Sequence, residues 1–518
     1  MQKQKLYKLL FLAIILLALI VRIVNIDNVP SGIYPDEANN GTNAFNAQLT
    51  NDYKWFYPDN NGREGLYINA MALFFKLFGV SFLTIKLTSI IMGTLTVCGV
   101  YLLSRELFIS KPRLALIASY LTAVSFWAVN FSRIAFRAIM MLPILTFSFY
   151  FLFRGLRTKK WYDFALAGFI FGLGFHTYIA FRVAPALLIV LFVLLLIQRG
   201  KVIITKYWKH WLIFIVFAFI STLPMLLTFH THPEFLNART GDVSVMANSD
   251  EHLVQTLSQT FTKSILKFNV SGDQNWRHGY PPYPTLEFFV GIMFALGFFL
   301  SIWIFVSYTY KRFFQKIKNR KLVTHGFLLA WFFAFLAPEF LTVEGLPHSL
   351  RSIGVLPVVY IFSAFFINYL LERIEKYSHA KYSLLYILIF TALFVSGAVN
   401  IIKYHVFWAE EQKQAESFNQ DLTDIARYLQ TLPKDKTVYV IADNMQRLPI
   451  KLLNENRDII FISSDDTDKI SFDDDFIILS PTQQDDFLLK LSSHGAVTSE
   501  TIPTKHNQTF TIITPLKN

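Results

Sequence analysis

Long apolar runs dominate the chain. Stretches near 7–24, 81–103, 114–131, 138–153, 163–179, 183–198, 211–229, 286–308, 322–338, 352–371 and 383–401 are close to or above the length that spans a bilayer, about 17–25 residues for a helix. The pattern predicts about eleven transmembrane helices. Residues 66–79 are also apolar but shorter, and read as a helix lying along the membrane interface. Beyond residue 402 the pattern changes. Phe418, Leu422, Ile425, Leu429 and Leu432 recur at three- and four-residue steps, which predicts a helix over 416–432. Short β-rich runs at 437–441, 459–462, 476–479 and 510–513 then alternate with helical stretches 445–454 and 483–492. The predicted fold is an all-α polytopic membrane core with a small C-terminal α/β soluble domain. Its expected divisions are a core of residues 1–402, carrying long loops 25–80 and 230–285, and a soluble domain of residues 403–518.

Composition agrees. Hydrophobic residues make up 53% of the chain and charged residues 16%, against roughly 25% charged in soluble domains. The net charge is +12, and all of that excess lies in the first 402 residues, because the tail is acidic. The cations sit in short loops: Arg105, Lys111 and Arg113; Arg154, Arg157, Lys159 and Lys160; Arg199, Lys201, Lys206 and Lys209; Lys311, Arg312, Lys316, Lys318, Arg320 and Lys321; Arg373, Lys376 and Lys381. Alternate loops are basic from end to end, which predicts a cytoplasmic N-terminus and an extracytoplasmic C-terminal domain. A basic balance confined to such loops argues against nucleic acid as a partner. Cys98 is the one cysteine, so no disulfide forms within the chain. Lys3, Lys5 and Lys8 precede the run Leu9 to Val24, and its end carries Arg22, Asn25 and Asp27 where a cleavage site would need small residues, so the first helix reads as uncleaved.

The unusual polar residues fall in the loops assigned to the outer side. Asp36 and Glu37 are adjacent, about a dozen residues after the first helix. Neighbours at i and i+1 do not share a helix face, so separate roles suit them, and a plain acidic first turn of a helix suits them equally. Arg63 lies in an Asn-Gly-Arg-Glu-Gly run, where it can hold a phosphate or a lipid headgroup. Arg133 and Arg137 are four apart, as on one helix face. His176, Tyr178 and Arg182 share a short turn. Asp273, Arg277 and His278 sit among Trp276, Tyr280 and Tyr283, a mixture suited to a sugar or to an interfacial aromatic belt. Glu339, Glu344, His348 and Arg351 occupy the last outer turn. Each such cation must be solvated, paired or used, and a salt bridge to Asp36 or Glu37 is one structural outcome. A cavity that gathers carboxylates and arginines suits a lipid-linked phosphate donor. The tail carries no GxGxxG, Walker or nucleophile-elbow motif.

On these residues the chain resembles the polytopic glycosyltransferases that use polyprenyl-phosphate sugars: the protein O-mannosyltransferases and the bacterial lipid A aminoarabinose transferases. Asp36-Glu37 is similar to their acidic motif in the first outer loop, and Phe78-Gly79 with the following span is also similar. The run Arg63-Glu64-Gly65-Leu66-Tyr67 stands where those enzymes have a basic or histidine residue and two prolines, so this chain departs at Glu64-Gly65. The resemblance covers roughly residues 5–230. It implies the C-type glycosyltransferase architecture in a bacterial cytoplasmic membrane, with Asp36 as catalytic base, Glu37 as second carboxylate and Arg63 facing phosphate.

The expected activity is inverting transfer of a hexosyl or pentosyl unit from a polyprenyl-phosphate donor to a hydroxyl of an extracytoplasmic glycan, lipid or protein. Arg63, Arg133, Arg137, Arg182 and Arg351 are the candidates to stabilise the leaving phosphate. No cofactor is required, and a divalent cation at Asp36 or Glu37 is compatible. Two other classes remain open at this stage. A transporter or flippase of lipid-linked substrates would carry ionisable residues mid-span and often an internal repeat; here no repeat is evident and charges gather at span ends. A catalytically inactive assembly protein of the same fold is the other.

Overall fold

The computed structural model describes residues 2–237, 253–342, 345–377, 383–472, 475–482 and 484–516. Part of the second long loop, Glu344 and Lys381 lie outside them. Among the described residues nine helices are long and apolar enough to cross a membrane: Gln4–Ile23, Phe82–Leu107, Arg137–Thr158, Ile179–Arg199, Trp208–Thr231, Phe288–Phe314, Arg320–Phe340, Ile353–Lys376 and Leu384–Glu410. Pro112–Val124 and Phe126–Arg133 reach that length only together, bent by 54°, and make a tenth if the pair is one span. The bend falls at Ser125, whose hydroxyl accepts the Ala128 N–H at 3.2 Å and restarts the helix. The eleventh expected span, 163–179, is a 13-residue helix, Trp161–Leu173, that gives way to a tighter turn through His176. The apolar run there continues past the point where the helix stops. Gly65–Phe78 is the short apolar helix expected before the second span.

Contacts divide the chain into two compact units. The first comprises residues 1–24, 54–67 and 88–404, and is helical. Its spans are apolar on all sides, so burial separates core from lipid-facing helices. Of the most apolar window, 83% is buried in Ile353–Lys376 and 78% in Arg137–Thr158, against 17% in Trp208–Thr231. Phe327 meets Phe149 and Trp331 edge to face, and Phe149 and Trp331 meet at a tilt. Lipid is as apolar as these side chains, so close packing holds the helices together. A side chain at Gly168 would strike the Phe214 carbonyl, and one at Gly297 the Phe362 carbonyl, so glycine lets those backbones meet. The short basic loops meet one another at one end of this unit: Arg157 grips Glu106 with two bonds of 2.7 and 2.8 Å, Arg113 reaches Glu375 at 2.8 Å, and Arg312 donates to the Ile197 carbonyl at 2.7 Å.

The second unit comprises residues 25–53, 68–87 and 405–518. Segments 25–53 and 68–87, from the first long loop and the start of the second span, thus group with the C-terminal part from His405. With β1 Phe56–Tyr57 and β2 Arg63–Glu64 forming a small hairpin in the first unit, the strands here are β3 Thr437–Ile441, β4 Ile460–Ile462, β5 Phe476–Ser480, β6 Val497–Pro503 and β7 Thr509–Pro515. Their order is β4-β3-β5-β7-β6, parallel across β4-β3-β5 and antiparallel beyond. Alternate residues serve opposite faces. Val438, Val440, Ile477 and Leu479 pack with Leu422, Ile425 and Leu429 of helix Gln420–Thr431. Tyr439, Ile441, Phe476 and Ile478 pack with Phe487 and Leu491. The predicted helix over 416–432 is interrupted at Asn419, whose φ is 49°. Strand β6 escaped the pattern because it is a mostly exposed edge with no apolar alternation. Segment 25–53 is tied in by Ile33 N–H to Thr423 Oγ1 and Ser31 Oγ to Gln414 Oε1, both 3.0 Å.

Candidate functional site

Helix Pro35–Thr50 places Asp36 and Glu37 in its first turn, within the second unit. Proline at the first helical position has no N–H to leave unpaired. Glu37 is buried and its carboxylate accepts the Tyr34 N–H at 3.4 Å, so one member of the acidic pair does cap the helix. Asp36 is half-buried.

The remaining candidates lie in the first unit. The β1–β2 hairpin turns through Asn60, Asn61 and Gly62, all at positive φ. A side chain on Gly65 would strike the Lys54 carbonyl, which is why that residue is glycine. The hairpin buries Arg63, whose guanidinium meets Asp59 Oδ2 at 2.5 Å. On the next residue, buried Glu64 accepts from Arg137 Nε at 2.7 Å. Arg137 also reaches the Gly62 carbonyl at 3.4 Å, and its guanidinium lies 5.6 Å from the Tyr178 ring centre. Arg63, Arg137 and Tyr178 are therefore gathered around one hairpin.

Arg133 goes elsewhere. Helix Phe126–Arg133 ends on it, Ile134 and Phe136 are extended, and a new turn begins at Arg137. The two arginines consequently do not share a helix face, contrary to their spacing. Arg133 is fully buried and donates to the Val21 and Arg22 carbonyls at 3.1 and 2.9 Å, closing the C-terminal end of the first span. His176 Nε2 lies 2.8 Å from the Ser221 carbonyl, and its ring is 5.4 Å from Trp55. Arg182 lies over the Phe229 ring at 5.6 Å.

The second long loop and the last outer turn form another cluster. Asp273 Oδ1 accepts the Asn275 N–H at 2.9 Å, and Oδ2 accepts the Ser349 N–H at 2.6 Å. His278 Nδ1 is 3.2 Å from Asp273 Oδ2, and the His278 and His348 rings are 4.7 Å apart. Burial alone would raise the Asp273 carboxyl, but the facing His278 and the Asn275 N–H prevail and hold it below the usual carboxylate range. Burial, with His278 alongside, pushes the His348 imidazole down to about 3. Arg277 Nε donates to Asn275 Oδ1 at 3.1 Å, and Arg351 to Thr342 Oγ1 at 2.7 Å. Beneath them Lys267 pairs with Glu339 and bonds Ser352, with both ionic side chains fully buried. Glu339 also accepts the His348 N–H at 3.0 Å.

Two residues in these contacts were not singled out as charge partners from the sequence. Glu64 stood out only as a departure from a family motif, yet it is the partner of Arg137. Lys267 follows an amphipathic helix, Leu253–Leu266, and its pairing with Glu339 spans 72 residues of chain.

The comparisons agree on architecture. Residues 66–227 match the family model described as dolichyl-phosphate-mannose-protein mannosyltransferase. The crystal structure of ArnT from Cupriavidus metallidurans in the apo state covers 99% of this chain and 98% of its own, with a TM-score of 0.58 and 13% identity. The same protein bound to undecaprenyl phosphate gives 0.56 and 13% over the same extents. The Archaeoglobus fulgidus oligosaccharyltransferase tethered with an acceptor peptide gives 0.51 at 14% identity, covering 89% of this chain and 64% of that one. No curated protein matches. The chain is a multi-pass membrane protein with the C-type glycosyltransferase fold and a small sheet-containing C-terminal region. The resemblance read from the sequence is borne out.

Proposed function

We propose that this protein is an inverting glycosyltransferase that moves a hexosyl or pentosyl unit from polyprenyl phosphate to an extracytoplasmic hydroxyl. The observation that carries the reading is the mannosyltransferase-family match across 66–227, on a chain whose fold follows ArnT over nearly its full length. An ArnT of that fold is known with undecaprenyl phosphate bound, and we extend that lipid class to the donor here.

In this reading the acceptor oxygen attacks the anomeric carbon as the bond to the lipid phosphate breaks. Asp36 takes the hydroxyl proton, and the polyprenyl phosphate leaves as an anion. Phosphate is a good leaving group at neutral pH, so charge stabilisation counts for more than acid catalysis. We assign that task to Arg137 and Arg63, with Arg182 as a further candidate. Both of the first two are already oriented by a carboxylate, which fixes the guanidinium fork before a ligand arrives. Arg277, Arg351 and the aromatic run Trp276, Tyr280 and Tyr283 are assigned to sugar or acceptor, with His176 and Tyr178 nearer the phosphate. Glu37 supports Asp36 by fixing its helix end. The transfer needs no cofactor, and a cation at Asp36 or Glu37 stays compatible with it.

The test is Asp36→Asn, assayed by sugar release from a polyprenyl-phosphate donor in liposomes. Loss of the base should lower transfer by about 10²–10⁴-fold, with expression and melting temperature retained. Asparagine caps a helix about as well as aspartate. Near-normal transfer by the folded variant would therefore leave Asp36 a cap and remove it as the base.

We also propose that the basic-loop end faces the cytoplasm of a bacterial inner membrane and that residues 403–518 lie outside. Reporter fusions at Lys318 and Lys413 should then report opposite sides, and identical sidedness would refute this.

A further inference from the structure

We propose that a cavity at the basic-loop end of the helical unit binds the headgroup of a two-phosphate phospholipid, diphosphatidylglycerol. The cavity holds about 610 Å³, within the roughly 300–1,000 Å³ of ligand pockets. It is walled by the end of span Phe82–Leu107, the start of Arg320–Phe340 and the end of Ile353–Lys376. Span ends lie at the level of the lipid headgroups.

Lys111, Arg320, Lys321, Arg373 and Lys376 line it, and among the described residues Glu372 is the one acid that does. Lys111 takes that acid at 2.6 Å. Arg320 donates to the Glu106 carbonyl and lies 3.6 Å from its carboxylate, which already holds Arg157. Lys321, Arg373 and Lys376 are exposed. Farther from the span ends the wall is apolar, with Ile304, Phe365 and Tyr369. Phe108 and Phe365 stack at 5.6 Å, and the His325 ring meets both edge to face. Cations at the rim above an apolar wall repeat the order of a phospholipid, phosphate above acyl chain.

The competing description is that short loops on this side are basic whatever they do. It accounts for the cations but not for the hollow they surround. Where loops simply converge they close on acids, as Arg113 does on Glu375. Here the cations outnumber the acid, and the space between them is open. Basic pockets between spans suit multiply charged lipid headgroups. Arginine forks and lysine point charges both bind phosphate. Two phosphates on one headgroup match five cations better than one phosphate does. The inference is independent of the transferase reading, because bound lipid is counted without sugar donor or acceptor. It is also independent of which side faces the cytoplasm.

The full chain is purified in detergent, depleted of lipid and titrated with each lipid by native mass spectrometry. We expect one tightly bound diphosphatidylglycerol per chain, weaker phosphatidylglycerol, and phosphatidylcholine weaker by about tenfold or more. Lys321→Gln/Arg373→Gln/Lys376→Gln should weaken binding about a hundredfold, at about fivefold per cation. Lys201→Gln/Lys206→Gln/Lys209→Gln removes the same charge from exposed positions that do not line the cavity, and should leave binding unchanged. Melting temperatures without lipid check that both variants fold. Should the cavity variant fold poorly, Lys376→Gln alone reads the same question at about fivefold. Wild-type affinity in the folded cavity variant, or an equal loss in both triple variants, overturns the proposal. So does phosphatidylcholine bound as tightly as diphosphatidylglycerol. Displacement of the lipid by inorganic phosphate would assign the cavity to a soluble anion, and tighter binding of undecaprenyl phosphate would assign it to a polyprenyl lipid; either result refutes the phospholipid.

Discussion

At one end of the helical unit, cations and acids pair where at least one partner is open: Lys111 with Glu372, Arg113 with Glu375, Arg157 with Glu106. At the other end two pairs are buried on both sides. Lys267 and Glu339 are 0% exposed, and Arg137 and Glu64 are 10% and 6% exposed. The first kind is what short basic loops produce wherever they converge. The second kind is expensive, since taking two charges from water costs several kcal/mol per ion unless further hydrogen bonds complete the arrangement. Those further bonds are present: Ser352 and the His348 N–H on one pair, the Gly62 carbonyl on the other. The difference locates where the chain has been built around charge and where charge merely marks a loop.

Three substitutions probe that contrast. Lys267→Met leaves Glu339 buried without its counter-charge and should cost about 3–5 kcal/mol. Adding Glu339→Leu should restore part of the loss. Chemical denaturation in detergent measures both, and a single-variant loss as small as that of a surface pair would break the comparison. Arg137→Lys keeps the charge but loses the planar fork that reaches both Glu64 and Gly62. A loss of roughly 1.5–3 kcal/mol is expected, the value of a hydrogen bond to a charged group, along with weaker use of the polyprenyl-phosphate donor. Unchanged stability with unchanged donor use would show that the hairpin pair serves neither purpose. Arg113→Ala should cost about 1 kcal/mol or less, and the effect should shrink in high salt because the pair is accessible to solvent. A large, salt-insensitive loss would mean the basic-loop end is also built around its charges.

Legibility in the sequence differed by element. Apolar runs located nine of the eleven expected spans as single helices, because length and hydrophobicity are local properties. Ser125 and the early stop at Leu173 were invisible, since a cap or a tightened turn does not interrupt an apolar run. Strands β3, β4, β5 and β7 were legible because they are buried and apolar, whereas β6 is an exposed edge. The site candidates were found as residue types. Their partners were less legible: Arg63 holds Asp59 and Arg137 holds Glu64, contacts that residue type and spacing did not point to.

The sequence by itself determined what depends on neighbours along the chain. That includes the membrane spans, the alternation of basic loops, the acidic pair opening a helix, and the change to α/β pattern after residue 402. Tertiary structure alone decided what depends on approach through space. It sent Arg133 to the carbonyls of the first span and Arg137 to Glu64, although four residues separate them. It paired Lys267 with Glu339 across 72 residues. It brought His348 against Asp273 and His278 from a loop some 70 residues earlier. A buried charge must find a partner or an ion, and the backbone path that delivers one leaves no periodic trace in the chain.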